Sequence, residues 1–115
     1  MSDRLNPGDQ LFNNNQSITS QDGRFRLTMQ SDGNLVVYRN QDGHPLWASN
    51  TAQSDVHRAI MQGDGNLVLY HVNNAPAWAS NTPGAPGSFL VMQNDGNLVI
   101  YRPNFPIWAS NTVQH

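Results

Sequence analysis

Apolar and polar residues alternate with period two along much of this 115-residue chain. In residues 24–30 (RFRLTMQ), Phe25, Leu27 and Met29 alternate with Arg24, Arg26, Thr28 and Gln30. Successive side chains of a strand point to opposite faces, so this pattern predicts a strand with one apolar face. A turn (SDG), a second strand (NLVVYR) and a third (LWASN) follow. HRAIMQ and SFLVMQ open the same succession twice more. Helical periodicity is absent, and the prediction is all-β. Three strands of this length are not stable alone in water, so the units are expected to pack around one axis and share a core. The residues before Arg24 have no counterpart ahead of the later units. Leu5, Leu11, Phe12 and Ile18 are expected to supply strands that complete the assembly.

The repetition is close. QSDGNLVVY, QGDGNLVLY and QNDGNLVIY begin at Gln30, Gln62 and Gln93, 32 and then 31 residues apart. WASNT follows each, from Trp47, Trp78 and Trp108. This divides one domain, 1–115, into three units of approximately 1–51, 52–82 and 83–115. The linking segments RNQDGHPL, HVNNAPA and RPNFPI carry prolines and Asn or Gly of the kind that mark turns. Each Trp could be an exposed platform for a sugar ring. Its fixed place among small residues favours a shared core of three indoles, because large aromatics dominate burial in small domains.

Within each motif, five residues lie two apart. Leu35 and Val37 face the core, as do Leu67 with Leu69 and Leu98 with Ile100. Asn34, Val36 and Tyr38 share the opposite face, and the turn lets Gln30 and Asp32 join them. Turn chemistry explains an Asp-Gly pair and an Asn beside it. It does not explain a Gln and a Tyr at the same offsets in all three copies. Ionised Asp accepts hydrogen bonds, Asn and Gln both donate and accept, and the Tyr hydroxyl does either. That mixture suits adjacent sugar hydroxyls, with Val as an apolar floor for ring C–H groups.

Composition narrows the alternatives. Charged residues are 12% of the chain and the net charge is −2, which gives no basic field for nucleic acid or an anionic membrane. No apolar run is long enough to span a bilayer. Cysteine is absent, which excludes disulfides and thiolate metal sites. His44, His57, His71 and His115 occur at unrelated offsets and match no metal or triad pattern. The repeated Asp residues lie in separate units, which disfavours a paired-carboxylate glycosidase. SDGN has too few ligands for a calcium loop. No enzyme, no cofactor and no metal site is therefore expected. NQS at Asn15 is a glycosylation sequon that matters only on a secretory route.

Q-x-D-x-N-x-V-x-Y three times, each followed by a Trp-Ala-Ser-Asn-Thr element, resembles the monocot mannose-binding lectins, also called snowdrop-type or bulb-type lectins. The resemblance covers essentially the whole chain. It implies a β-prism II fold, three four-stranded antiparallel sheets around a pseudo-threefold axis with the Trp residues at the centre. It also implies calcium-independent mannose binding at up to three sites. Asp32 and Asn34, Asp64 and Asn66, and Asp95 and Asn97 would take the axial 2-hydroxyl. Gln30, Gln62 and Gln93 would take the 3-hydroxyl, and Tyr38, Tyr70 and Tyr101 the 4-hydroxyl. Val36, Val68 and Val99 would touch ring carbons. High-mannose glycans are the implied partners, bound multivalently. The plant lectins carry a disulfide from the position of Gly33 to near His57, and neither is Cys here. The chain resembles cysteine-free members, which points to a cytoplasmic protein or one released without a signal peptide, since MSDRLNPGDQ lacks an apolar leader. In the family, C-terminal strand exchange between two protomers is a common source of added stability, so the resemblance implies a homodimer here. The alternative is a lectin-like interaction module, bacteriocin or toxin on the same scaffold.

Overall fold

The computed structural model describes residues 2–103 and 105–114. Twelve strands, and no helix among the described residues, make up the chain. They are β1 (Arg4–Leu5), β2 (Gln10–Phe12), β3 (Gln16–Thr19), β4 (Phe25–Met29), β5 (Leu35–Arg39), β6 (His44–Ala48), β7 (Val56–Met61), β8 (Leu67–His71), β9 (Pro76–Ala79), β10 (Phe89–Met92), β11 (Leu98–Arg102) and β12 (Phe105–Ala109). They form three four-stranded antiparallel sheets in the orders β3-β4-β5-β6, β2-β7-β8-β9 and β1-β10-β11-β12. This is the β-prism II architecture that the motif implied.

The N-terminal segment completes all three sheets, giving one short strand to each. Leu5, Leu11 and Ile18 are buried at 3–5% exposure. Phe12 is the exception: it lies in β2 but points outward, 42% exposed. It follows the buried Leu11, and period two turns it away from the core. By pairing in turn with β10, β7 and β4, the first nineteen residues tie together sheets that otherwise follow one another along the chain.

The core is built from the predicted alternation. Phe25, Leu27 and Met29 of β4 and Leu35 and Val37 of β5 are at most 2% exposed, as are their counterparts in the other sheets, such as Leu67, Leu69, Leu98 and Ile100. The indoles of Trp47, Trp78 and Trp108 meet edge to face, with centroids 5.4, 5.5 and 5.8 Å apart. Each stands opposite a core residue of the neighbouring strand: Val37, Leu69 and Ile100. They are partly buried against the core cluster, which bears out the packing reading over the exposed-platform one.

The linking prolines do something other than mark turns. Pro45, Pro76 and Pro106 lie within β6, β9 and β12, opposite Tyr38, Tyr70 and Tyr101. These are edge strands, and each pairing shifts register just before the Tyr. Proline cannot donate to a ladder, so an edge beside a bulge is where a sheet tolerates it. β12 pairs with β11 of the same chain.

Leu5→Ala, Leu11→Ala and Ile18→Ala are each expected to lower unfolding stability by about 2–4 kcal/mol in urea titration, as for core residues. Phe12→Ala is expected to change it by no more than about 0.5 kcal/mol.

Candidate functional site

Each motif places its polar residues at a β-hairpin. In the first sheet, Gln30 follows β4, Asp32 and Gly33 make the turn, and Asn34 leads into β5. Gly33, Gly65 and Gly96 have φ of +90°, +96° and +89°. A Cβ at Gly33 would sit 2.7 Å from the Ser54 carbonyl oxygen, and one at Gly65 2.5 Å from that of Ala85. Only glycine satisfies both the backbone angle and the close approach. A Cys at position 33 would not fit this packing. Hydrogen bonds bind the turn instead: Gln53 N–H donates to the Asp32 carbonyl at 2.7 Å, and Thr51 Oγ1 donates to the Gly33 carbonyl at 2.6 Å.

The structure brings Gln30 and Tyr38 together across the hairpin, with the Gln30 amide against the Tyr38 hydroxyl. Gln62 meets Tyr70 and Gln93 meets Tyr101 in the same way. At Gln30, the orientation that satisfies both ends of the amide has Oε1 accepting from Tyr38. Its Nε2 then donates to the Asp32 carboxylate oxygens at 3.1 and 3.2 Å. Asp32 Oδ1 also accepts from the Asn34 backbone N–H at 2.9 Å, and the Asp64–Asn66 and Asp95–Asn97 pairs repeat this at 3.0 Å. The four polar residues of the first motif are thus one connected set, and the other two repeat its Gln–Tyr and Asp–Asn pairs.

WASNT turns out to hold the site together, a role that sequence reasoning missed. The Asn34 side-chain oxygen accepts from Ser49 Oγ and from the Thr51 backbone N–H, both at 3.2 Å. Ser80 and Thr82 hold Asn66 in this way at 3.1 and 3.2 Å, and Ser110 and Thr112 hold Asn97 at 3.2 Å. Ser49 Oγ also accepts from the Leu35 N–H at 3.1 Å. Between Ser and Thr stands an Asn in the left-handed region (Asn50, φ 59°; Asn81 and Asn111, φ 60°), which turns the chain back onto the motif. The triplicate Ser-Asn-Thr was the signal that could have revealed this.

With its oxygen occupied, the motif Asn keeps both amide N–H bonds for an outside acceptor; among the described residues none is taken by the protein. Asp contributes further acceptor lone pairs, and the Tyr oxygen can still accept. Val36, Val68 and Val99 are only 3% exposed, so each is a nearly flush apolar base and not a raised wall. The sites are shallow. A recess of about 560 Å³ lined by Phe25, Arg39, Asp42 and Gln114 contains none of the fifteen motif residues. In that recess the Arg39 guanidinium holds the Asp42 carboxyl down to about 2. Of the histidines, His71 pairs with Asp55 through Nδ1 at 2.5 Å, and His115 lies outside the described residues.

Ser49→Ala leaves Asn34 Oδ1 with one fewer donor and strips the Leu35 N–H of its acceptor. The expected cost is about 1–3 kcal/mol of unfolding stability. The Asn34 side-chain amide resonances should lose their dispersion in the same variant while those of Asn66 and Asn97 keep theirs.

No protein-family model matches the chain. A monomeric monocot mannose-binding lectin from Gastrodia elata is 39% identical, with a TM-score of 0.84 over 97% of this chain and 99% of that one. The mannose-specific agglutinin from snowdrop (Galanthus nivalis) bulbs, solved with methyl-α-D-mannoside, is 38% identical, with a TM-score of 0.78 over 99% of this chain and 100% of that one. The B-type lectin plumieribetin of Scorpaena plumieri is 43% identical over 53 residues, which span 46% of this chain and 38% of the length of that curated relative. These relatives are lectins, not enzymes. From the triplicate motif, the three-sheet prism and identity with these lectins over nearly its full length, the chain belongs to the monocot mannose-binding, or bulb-type, lectin family, as a member without cysteine.

Proposed function

We propose that this protein is a calcium-independent mannose-binding lectin with three sugar sites, one on each sheet. The supporting observation is the saturated Asn oxygen, which recurs at Asn34, Asn66 and Asn97. It fixes the motif Asn as a donor next to an acceptor-only Asp, the pair that an axial hydroxyl needs, since a hydroxyl both accepts and donates. Gln and Tyr of the same motif then take the 3- and 4-hydroxyls, and Val underlies the ring. Asp32, Asp64 and Asp95, with their Asn, Gln, Val and Tyr partners, are the residues assigned. Every hydroxyl so engaged has a side-chain partner, so the contacts need no metal. Among the described residues, no group of three or more His, Asp or Glu stands ready to hold one.

A shallow site making four or five net hydrogen bonds of roughly 1 kcal/mol each binds with about millimolar to sub-millimolar affinity. Useful binding then comes from several sites meeting the several mannoses of a high-mannose glycan, which raises avidity by roughly two orders of magnitude or more. A homodimer joined by exchange of β12 would double the number of sites. β12 is suited to exchange because it is an edge strand. Its expected signature is twice the chain mass in solution, and a single-chain mass would sink it. The hairpins beside the sites, RNQDGHP and RPNFP among them, would select the linkage.

Binding to mannan resin should survive a metal chelator and be reversed by free mannose but not by galactose. Asp32→Ala, Asp64→Ala and Asp95→Ala together should abolish it. Retention by the triple variant would overturn this function and favour an interaction module on the same scaffold.

A further inference from the structure

The three motifs are alike, but their neighbours on the outer face are not. The residue paired across the sheet from the motif Tyr is Arg26 for Tyr38, Arg58 for Tyr70 and Phe89 for Tyr101. The Arg26 guanidinium lies over the Tyr38 ring at 4.5 Å, and that of Arg58 over the Tyr70 ring at 4.9 Å. At the third motif, Phe89 stacks on Tyr101 with centroids 5.8 Å apart and planes 29° apart, and Arg4 caps Phe89 at 5.4 Å.

The ion pairing of the arginines also differs. Arg4 pairs with Asp3 at 3.2 Å, and Arg24 and Arg39 pair with Asp22 and Asp42, each at 2.7 Å. Arg26 and Arg58 have no carboxylate partner among the described residues. They are held by neutral amide oxygens: Asn40 for Arg26, and Gln10 at 3.1 Å and Asn74 at 3.4 Å for Arg58. Both side chains are only partly buried. Stacking on the Tyr and bonding to an amide fix the guanidinium plane without neutralising it. Such a group is pre-oriented for an anion, because its remaining N–H bonds can form charge-assisted contacts.

We propose that Arg26 and Arg58 form an anion subsite beside the first and second sugar sites, which thereby prefer mannose carrying a phosphate at its 6-position, while the third site does not. This rests on the mannose reading above. If Asp and Asn take the 2-hydroxyl, Gln the 3-hydroxyl and Tyr the 4-hydroxyl, the ring continues past the Tyr to carbon 5 and its C6 substituent. The guanidinium stacked on that Tyr is the charged group beside this position. At the third site, the apolar Phe89 ring stands where the first two sites have a guanidinium, and the nearby Arg4 is already paired with Asp3.

The test is a residue-resolved NMR titration with mannose and with mannose 6-phosphate, reporting at Tyr38, Tyr70 and Tyr101. The wild-type chain should bind the phosphate about three- to tenfold more tightly than mannose at Tyr38 and Tyr70, in line with one partly exposed charge-assisted contact. That ratio should stay near one at Tyr101, and the preference should shrink as salt is raised. In the Arg26→Gln, Arg58→Gln variant the ratio should fall to about one or below at all three sites, and Arg26→Lys, Arg58→Lys should restore part of it. A ratio near one at Tyr38 and Tyr70 in the wild type, an equal preference at Tyr101, or a preference that persists in the Gln variant would each overturn the anion subsite while leaving the mannose sites standing. Failure of plain mannose to bind anywhere would overturn the proposed function and this inference with it.

Discussion

The contact of three indoles at the centre of the prism is the constraint on which the rest depends. Trp47, Trp78 and Trp108 reach one another edge to face only if each sheet delivers its tryptophan from the same position of its edge strand. Such aromatic pairs add about 0.5–1.5 kcal/mol each beyond the area they bury. Their larger effect is on register. Slipping β6, β9 or β12 by one residue would move its Trp to the outer face and away from Val37, Leu69 or Ile100 on the neighbouring strand. Fixing the indoles therefore fixes which residues face outward, and the motif Asn, Val and Tyr are on that outward face.

Register alone would give a face of the right composition but a loose one. The Ser and Thr that follow each Trp make it specific, because the strand that brings the indole inward continues into a turn whose hydroxyl and backbone N–H clasp the motif Asn. Core packing and site geometry are joined within five residues, Trp-Ala-Ser-Asn-Thr. The same turn contributes the hydrogen bonds that hold the Asp-Gly corner. A cysteine-free chain thus stitches its hairpins with short polar contacts between segments already held close by the core.

Near-threefold repetition also makes the exceptions informative. The N-terminal segment gives one strand to each sheet, so the units are not independent modules. Beyond the repeated motif and the WASNT element the sheets diverge: Arg26 and Arg58 on two outer faces, Phe89 on the third, a charged recess between Phe25 and Asp42, and exposed Phe105 near the last hairpin. Identical motifs set among different neighbours allow the three proposed sites to differ in preference.

Much of this was legible in the sequence. Period-two alternation identified β4, β5 and their counterparts and separated Leu35 and Val37 from Asn34, Val36 and Tyr38, because a strand has only two faces. The triplicate motif gave the number of sheets and the five residues grouped on each. What one dimension could not show was proximity between segments far apart in the chain. Ser49 and Thr51 lie fifteen and seventeen residues from the Asn they hold, and Arg26 meets Tyr38 only through the pairing of β4 with β5. Phe12 matched Leu11 in character but not in direction, and the linking prolines, which suggest turns by type, sit where an edge strand has no ladder bond to lose. Local alternation is set by backbone geometry, which the sequence carries residue by residue. The clasp on each Asn and the partner of each Arg depend on sheet pairing and the meeting of edge strands, which exist only once the three sheets have closed on one core.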